Sequence, residues 1–377
     1  MKKAVSFILA LVIAVISFPY ALAEESEDSD NLGVSAESYV LYCADNGQII
    51  ASENENKRMK PASTTKIMTS LLVLEEAASS DSVITFTEDM SAEGSSMYLE
   101  IGEKVHLSDL AVGMMMSSGN DAANAAALSI SDSFEDFSER MNERAEQIGM
   151  KNTHFETPSG LDDDNHYSTA FDMALLMSYA LENEDFANLT AKNSAKVDFV
   201  EPNKHITYSN HNRLLSLYEY CTGGKTGYTQ AAGRCLVTSA KKDGLTLVCV
   251  TMNDRNDWKD HAALYNYGYE KYCRTDCNDS DFIADIPCVG GQEDSVSVIA
   301  ESDTSIVLPV ESKSKLERKV YIDSFFYAPV KKGQNVGRID YFVGTKVVSS
   351  VNIIAVDTVE AKKNINIFNA VRKSLAF

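Results

Sequence analysis

The sequence predicts an α/β fold, in which an antiparallel sheet carries a helical insert with a cleft between them, followed by a small all-β domain. Three patterns carry this prediction. Apolar hairpins near residues 45 and 243 enclose a stretch, from about residue 88 to 195, whose pattern is largely helical. After residue 281 the pattern changes to short apolar strands separated by glycine turns. We expect the two hairpins to share one sheet, with the insert packed beside it.

The N-terminus has the pattern of a cleaved signal peptide. Two lysines at positions 2 and 3 precede an apolar run, Ala4–Phe18, and a small-residue cleavage site, Ala21–Ala23. The apolar run is shorter than the ~20 residues that a membrane-spanning helix needs, so we expect a signal peptide at 1–23 rather than an uncleaved anchor. Residues 24–33 form a flexible, acidic start. The mature protein is therefore expected to act outside the cytoplasm.

The remaining chain is long enough for two domains, which we place at residues 34–277 and 281–360. The formal net charge of −21 favours solubility and argues against a nucleic-acid partner. The seven cysteines are odd in number, and their spacing does not match a zinc site. Their apolar contexts suggest mostly free thiols, and the sequence leaves their pairing open.

The first region begins with a strand hairpin that leads into a buried helix. Apolar runs at Tyr39–Tyr42 and Gln48–Ala51 flank an Asn-Gly turn, which is a strong hairpin signal. Pro61 suits the entry to a helix, and the Ser63 or Thr64 side chain is expected to cap it. The apolar spacing that follows predicts a largely buried helix.

Helices fill the insert, and a second hairpin and a closing helix complete the first region. Capping residues, acidic first turns and a Ser-Ser-Gly-Asn break mark the helix boundaries. The helices are expected to begin near Ser108, Asp121, Phe134 and Ser168. Strands at Arg234–Ala240 and Leu245–Met252 meet at an Asp-Gly turn, and a closing helix covers Trp258–Tyr272.

The second region is expected to be all β, with a helix after it. Its predicted strands are Val296–Ile299, Ser305–Leu308, Val320–Ile322, Arg338–Val343 and Val351–Ile354. Residues 362–377 place Ile367, Val371 and Leu375 on one face of an amphipathic helix. This helix would either lie on the outer face of a membrane or pack on the β domain.

A serine and a lysine three residues apart lie at the start of the first helix. Residues three apart share a helix face, so the Ser63 hydroxyl and the Lys66 amine are expected side by side. Serine becomes a nucleophile when a base takes its proton, and lysine can be that base when burial or a nearby cation lowers its pKa. The spacing alone is a weak signal, because it recurs by chance at Ser239 and at Ser312.

Two later motifs supply the other parts of an acyl-transfer site. Ser118, on the tight turn between two helices, can relay a proton to a leaving amine, and Asn120 can bind a substrate amide. Lys225 supplies a cation for a substrate carboxylate and would lower the pKa of Lys66.

The residues after Lys225 are expected to bind the substrate along a strand edge. They are Thr226, Gly227 and Tyr228. Gly227 lets the strand approach the substrate closely. The N–H groups of Ser63 and Tyr228 would then form an oxyanion hole.

The order Ser-x-x-Lys, Ser-x-Asn, Lys-Thr-Gly is the motif set of penicillin-binding proteins and class A β-lactamases. Beyond it, the sequence resembles the low-molecular-weight penicillin-binding proteins that act as serine-type D-alanyl-D-alanine carboxypeptidases. The matching segments are Gly102–Glu103 through Ser118–Ala123, which includes Asn120–Ala123, then Thr157–Leu161, His166–Ala170, Lys225–Thr229, Ala232–Gly233 and, in the β-rich domain, Ala328–Gln334.

This resemblance implies a fold like that of the β-lactamases and penicillin-binding proteins, and an enzyme that removes the terminal D-alanine from the pentapeptide stem of peptidoglycan. It implies that Ser63 forms the acyl-enzyme, Lys66 accepts the proton, Ser118 assists and Lys225 binds the terminal carboxylate. It also implies covalent inhibition by β-lactams, no metal or cofactor, and a peripheral position on the outer face of the cytoplasmic membrane. Tyr228 stands where some relatives carry histidine, which bears on specificity more than on mechanism.

Other functions remain open at this point. A D,D-endopeptidase or a transpeptidase would use the same site. A class A β-lactamase would need a glutamate that holds a water for deacylation, and neither Glu156 nor Glu201 lies in a recognisable loop for that task. A catalytically silent wall-binding protein would be expected to lack one of the site residues, and all of them are present.

Overall fold

The structure is a computed structural model that describes residues 32–362. The predicted signal peptide (1–23), nearly all of the acidic start (24–33) and all but the first residue of the predicted C-terminal helix (362–377) lie outside the described residues. Among the residues that are described, no helix is both long enough and apolar enough to cross a bilayer.

The first region contains all of the helices named here and nine strands among the described residues. The helices are α1 (Lys66–Ser79), α2 (Leu107–Met116), α3 (Asn120–Ile130), α4 (Phe134–Ile148), α5 (Ala170–Ala180), α6 (Glu184–Thr190), α7 (Leu214–Leu217) and α8 (Asp257–Lys271). The strands are β1 (Ser38–Cys43), β2 (Gln48–Glu53), β3 (Val83–Thr85), β4 (Lys104–His106), β5 (Ser194–Asp198), β6 (His205–Ser209), β7 (Cys221–Thr229), β8 (Gly233–Lys242) and β9 (Leu245–Met252).

A five-stranded antiparallel sheet with strand order β2-β1-β9-β8-β7 organises this region. β1 pairs directly with β9, with Val40 opposite Val250, so the two ends of the region share one sheet as predicted. Both predicted hairpins form, β1–β2 around the Asn-Gly turn and β8–β9 around the Asp-Gly turn. β7 lies at the edge of this sheet, so one side of its backbone is free of a neighbouring strand.

α1 is the buried helix that the apolar spacing predicted, and it packs against α2, α3 and α5. The predicted side-chain cap is wrong, because neither Ser63 nor Thr64 accepts a hydrogen bond from the helix N–H groups. The chain enters α1 through a 3₁₀ turn, Ala62–Thr65, and Pro61 before it has helical backbone angles, whereas a capping residue needs an extended backbone. The Thr64 hydroxyl instead donates to the Pro61 carbonyl at 2.6 Å.

The insert forms helices where the sequence supplies caps. α4 begins at Phe134 as predicted, and the Ser133 hydroxyl caps it by accepting the Asp136 N–H at 3.1 Å. The Thr169 hydroxyl caps α5 by accepting the Asp172 N–H at 3.0 Å.

The expectation of largely helical structure between residues 88 and 195 is wrong in part. Residues 149–169 form an irregular segment, and the β5–β6 hairpin begins at the end of this stretch. Both strands alternate polar and apolar residues, and Val197 and Tyr208 are the buried ones, but each strand is only five residues long, so this signal is short.

In the second region each of the five predicted strands forms, and three further strands join them. The strands are β10 (Tyr272–Cys277), β11 (Ile283–Val289), β12 (Ser295–Ala300), β13 (Thr304–Pro309), β14 (Leu316–Ile322), β15 (Phe326–Tyr327), β16 (Asn335–Val343) and β17 (Lys346–Ala355). Six of them form a sheet with order β14-β16-β17-β12-β11-β15, and β10 pairs with β13. Asp285 and Pro287 interrupt the apolar pattern of β11, which explains why the sequence did not reveal it.

Candidate active site

Ser63 and Lys66 lie side by side at the start of α1, as their spacing predicted. The Lys66 Nζ is 3.0 Å from the Ser63 Oγ. Lys66 is fully buried, whereas Ser63 is partly exposed. Ala62, directly before the serine, has φ +48°, a backbone conformation that residues other than glycine rarely adopt. Strain of this kind is concentrated at functional sites.

The Lys66 amine has three hydrogen-bond partners, all of which its neutral form can satisfy. Besides the Ser63 hydroxyl, the Asn120 Oδ1 and the Ser159 carbonyl oxygen each lie 2.7 Å from it. These two oxygens can only accept, and a neutral amine has two hydrogens and one lone pair. A neutral Lys66 therefore donates to both carbonyl groups and keeps its lone pair for the Ser63 hydroxyl.

The electrostatic surroundings favour the same protonation state. Burial lowers the pKa of Lys66 well below its usual 10.5, and the positive charge of Lys225 lowers it further. The Asp121 carboxylate acts in the opposite direction with a smaller effect on that pKa. The site thus stabilises an unprotonated lysine beside a serine hydroxyl.

The turn between α2 and α3 places Ser118 and Asn120 on opposite sides of one glycine. Ser118 has φ +61°, and a Cβ added to Gly119 would lie 2.9 Å from the Met97 nitrogen, so the turn is both strained and tightly packed. The Asn120 side chain, predicted to bind a substrate amide, is 4% exposed. Its Oδ1 accepts from Lys66, and its Nδ2 donates to the Glu93 carbonyl at 2.6 Å.

Asp121 fixes the segment that covers this turn, a role that the sequence did not reveal. Its carboxylate accepts the N–H groups of Met97 at 2.7 Å and Leu99 at 3.1 Å, and the Ser96 hydroxyl at 2.7 Å. Apart from its place in the matching segment Asn120–Ala123, its signal in the sequence was an acidic residue in the first turn of a predicted helix. Such a residue is common at helix N-termini, so it did not point to a site.

Lys225 reaches the same turn from β7. Its Nζ donates to the Ser118 Oγ at 3.0 Å and to the Thr226 carbonyl at 2.8 Å. The side chain is 1% exposed, and burial lowers its pKa from 10.5 to about 7. Lys225 therefore changes charge near neutral pH, unlike an exposed lysine.

β7 approaches the nucleophile turn at a glycine. A Cβ added to Gly227 would lie 3.0 Å from the Pro61 carbonyl oxygen and 3.1 Å from the Ser63 nitrogen. The edge strand therefore lies against the start of the helix, with the backbone of Tyr228 next along it. The Tyr228 side chain is 65% exposed, and Thr226 takes part through its carbonyl bond to Lys225.

The predicted site residues form one connected group. One set of hydrogen bonds joins Ser63, Lys66 and Asn120, a second joins Lys225 and Ser118, and the Ser118–Asn120 turn connects the two. Each contact agrees with the elements predicted for the three motifs.

One histidine also belongs to this neighbourhood. In the sequence, His166 lies apart from the three motifs. Its ring lies 2.9 Å from the hydroxyl of Thr65, the residue before Lys66. The sequence feature that pointed to His166 was its place in His166–Ala170, one of the segments that resemble the family.

Comparison with known families and relatives agrees with this arrangement. Residues 24–256 match the family model described as D-alanyl-D-alanine carboxypeptidase, and residues 278–361 match that of the penicillin-binding protein 5 C-terminal domain. The D-alanyl-D-alanine carboxypeptidase DacF of Bacillus subtilis is 32% identical, over 90% of this chain and 90% of that protein. DacC of Escherichia coli is 31% identical, over 91% of this chain and 88% of that protein.

Solved structures with a similar fold are of the same kind. Penicillin-binding protein 5 of Haemophilus influenzae superposes with a TM-score of 0.71 at 29% identity, covering 87% of this chain and 98% of that one. Penicillin-binding protein 6B of Escherichia coli gives 0.67 at 27% identity, covering 85% and 95%. An S96A mutant of the Streptomyces K15 DD-transpeptidase gives 0.60 at 27% identity, covering 63% and 98%.

Proposed function

The chain belongs to the serine-type D-alanyl-D-alanine carboxypeptidase family, and on this premise we propose that it removes the terminal D-alanine from peptidoglycan pentapeptide stems through an acyl-enzyme on Ser63. One observation supports the proposal above all others. A buried lysine amine lies 3.0 Å from the serine hydroxyl, and its other partners are two carbonyl oxygens. Burial and the charge of Lys225 favour the neutral amine, which is the form that takes a proton.

Acylation begins when the Ser63 Oγ attacks the carbonyl carbon of the penultimate D-alanine. The hydroxyl proton passes to the Lys66 Nζ as the new carbon–oxygen bond forms, and the carbonyl oxygen becomes an oxyanion. The N–H groups of Ser63 and Tyr228 are the proposed donors to it, and one such donor contributes about 3 kcal/mol. The Ser63 N–H is suited to this role because the first N–H groups of a helix have no partner within the helix.

Collapse of the tetrahedral intermediate requires a proton on the leaving nitrogen. Ser118, whose hydroxyl is bonded to Lys225 at 3.0 Å, is the proposed relay from a lysine amine to that nitrogen. The carbon–nitrogen bond breaks, and free D-alanine leaves. A water molecule then attacks the ester carbonyl and gives its proton to the base, and the Ser63 oxygen takes a proton back as the ester bond breaks.

Lys225 is the proposed partner of the substrate's terminal carboxylate. Two of its three ammonium hydrogens are directed to Ser118 and to the Thr226 carbonyl, which leaves one for the substrate. Burial lowers its pKa to about 7, and a bound carboxylate would raise it, because an opposite charge favours the ammonium form. Substrate binding near neutral pH is therefore expected to take up a proton.

The cellular setting forms part of the proposal. The N-terminal pattern supports export, and the apolar face predicted for residues 362–377 supports a peripheral contact with the outer face of the cytoplasmic membrane. β-Lactams are expected to acylate Ser63, since they present a reactive amide beside a carboxylate. The net charge of −21 supports the expectation of no nucleic-acid partner.

A transpeptidase or D,D-endopeptidase reaction is the second candidate. It is favoured by the likeness to the K15 DD-transpeptidase, which covers 63% of this chain. The two reactions share acylation and differ in the acceptor and in the peptide cleaved, so the same residues would serve both.

The test of the proposed function is D-alanine release from a synthetic pentapeptide stem by the purified protein. We expect release by the wild type and at least a ~10³-fold loss in Ser63→Ala, because removing a nucleophile costs several orders of magnitude. Ser312→Ala is the matched control, since Ser312 has the same spacing to Lys315 but lies in the second region. Cleavage of cross-linked stems without release from pentapeptides would favour the endopeptidase, and no reaction with either would favour a silent wall-binding protein.

A further inference from the structure

His166 links the nucleophile turn to the segment that contains Ser159. Its Nδ1 accepts the Glu156 N–H at 3.0 Å and the Thr157 N–H at 3.2 Å, so the ring proton is on Nε2. The Nε2 then donates to the Thr65 Oγ1 at 2.9 Å. The residue is 2% exposed, and burial lowers the pKa of the imidazole to about 4, so the ring is neutral at pH 7.

Both ends of this link lead to Lys66. Thr65 directly precedes it in the chain. On the other side, Pro158 directly follows the two residues whose N–H groups bond to the His166 ring. The Pro158 carbonyl accepts a hydrogen bond from the Thr69 hydroxyl at 2.6 Å. The next carbonyl, that of Ser159, accepts from the Lys66 amine at 2.7 Å.

The next residue in this segment, Gly160, shows how closely the segment fits the nucleophile turn. Gly160 has φ +81°, and a Cβ there would lie 1.9 Å from the Ala62 carbonyl oxygen. The segment and the turn are therefore in backbone contact, and a shift of one displaces the other.

The surroundings of the ring fit its neutral form. The Phe155 ring lies edge-on at 5.6 Å between centroids. Asp163, His154 and Lys60 are the titratable groups whose charges affect the His166 pKa, and their effects are smaller than that of burial. The Lys60 amine donates to the Asp163 backbone carbonyl at 3.0 Å.

We infer that His166 is a positioning residue for acylation, which holds the Ser159 carbonyl on the Lys66 amine and so keeps the amine's lone pair directed at the Ser63 hydroxyl. The inference rests on the proposed function, because it assigns a part in the acylation of Ser63. His166 acts through other residues, so its loss should lower the limiting rate of acylation and leave the half-saturating substrate concentration unchanged.

The test measures the rate of acylation by benzylpenicillin against drug concentration in the full-length protein. His166→Phe keeps a ring and removes both hydrogen-bonding functions, and we expect its limiting rate to fall about 10–100-fold. His166→Asn restores an acceptor oxygen near the position of Nδ1, and its rate should return to within about fivefold of the wild type.

His261→Phe is the matched control for loss of a buried histidine. His261 is fully buried between β8, β9 and α8, and its ring bonds the Thr238 and Thr251 hydroxyls at 2.7 and 3.1 Å. This variant should melt at a lower temperature and keep the wild-type limiting rate. Thr65→Val removes the hydroxyl that bonds to the His166 ring and changes the side-chain volume less than His166→Phe does. It should lower the limiting rate of acylation about tenfold, and it serves as the test if His166→Phe does not fold.

A wild-type limiting rate in His166→Phe, or in Thr65→Val where His166→Phe is unfolded, would overturn the inference. So would a change confined to the half-saturating concentration, because that would place His166 in substrate binding. A wild-type protein that is never acylated would overturn the proposed function as well, which distinguishes the two failures.

Discussion

Two buried lysines have opposite tasks in this site, and their electrostatic surroundings explain the difference. The Lys66 amine is surrounded by two carbonyl acceptors and one hydroxyl, a set that leaves a neutral amine with its lone pair on Ser63. Lys225 donates to the Ser118 hydroxyl and the Thr226 carbonyl and retains one hydrogen for an anion. Burial lowers both pKa values. The charge of Lys225 lowers the pKa of Lys66 further, so Lys66 is the lysine that gives up its proton and Lys225 is the one that keeps it.

The protonation of Lys225 predicts the alkaline side of the pH profile. Lys225 must be protonated to bind the carboxylate, and its pKa in the free protein is lowered to about 7. Rising pH removes that proton, so kcat/KM for a D-alanyl-D-alanine peptide is expected to fall above about pH 7. In Lys225→Arg the guanidinium stays charged, so the fall in kcat/KM should begin at a higher pH. We expect this shift even if the substitution also lowers the maximum value of kcat/KM. The measurement is kcat/KM against pH for both proteins.

His211 provides the control for this profile. Burial lowers the pKa of His211, and the nearby charge of Lys225 lowers it further, so this histidine could produce a fall of its own. His211→Gln should keep the alkaline fall of the wild type. A fall that is unchanged in Lys225→Arg, or that disappears in His211→Gln, would contradict the role given to Lys225.

At the scale of elements, the sequence correctly predicted turns and helix starts that depend on a few neighbouring residues. The Asn46–Gly47 turn acts within a few residues and formed as expected, and α4 begins at Phe134 as predicted. The contact of His166 with Thr65 joins residues 101 apart, and no local pattern reports such a pair. The failed cap at Ser63 has a local cause, because Pro61 before the 3₁₀ turn and Thr65 before α1 have helical backbone angles, whereas a capping residue needs an extended backbone.

The close contact at Gly160 gives a prediction about these elements. Gly160→Ala combines a positive φ with overpacking against Ala62, and should lower the free energy of unfolding by about 2–5 kcal/mol and slow acylation. Gly333→Ala is the control, since Gly333 has φ +75° with open space around its Cβ position, and should cost about 1–2 kcal/mol without slowing acylation. Denaturant unfolding measures the loss of stability in each variant, and the acylation rate measures the effect on the site. Equal losses of stability in the two variants would refute the tight packing at Gly160.

At the scale of the whole molecule, the two family-model regions are joined by α8 and β10. Arg274 on β10 binds the Asp45 carboxylate at 3.1 Å and the Ser305 hydroxyl at 2.7 Å, which ties the β1–β2 turn to β13. The Gly244 carbonyl, in the β8–β9 turn, accepts from the same guanidinium at 3.4 Å. The second region is thus attached through turns of the sheet, and none of these residues is a proposed site residue.

Ser63 is proposed as the acylating nucleophile, and intact mass after incubation with benzylpenicillin tests this assignment most directly. We predict that the wild type and Ser312→Ala gain the mass of one benzylpenicillin and keep it, while Ser63→Ala gains none. Consumption of the drug without a lasting adduct would indicate a β-lactamase. No adduct on the wild type, with the drug left intact, would contradict the account.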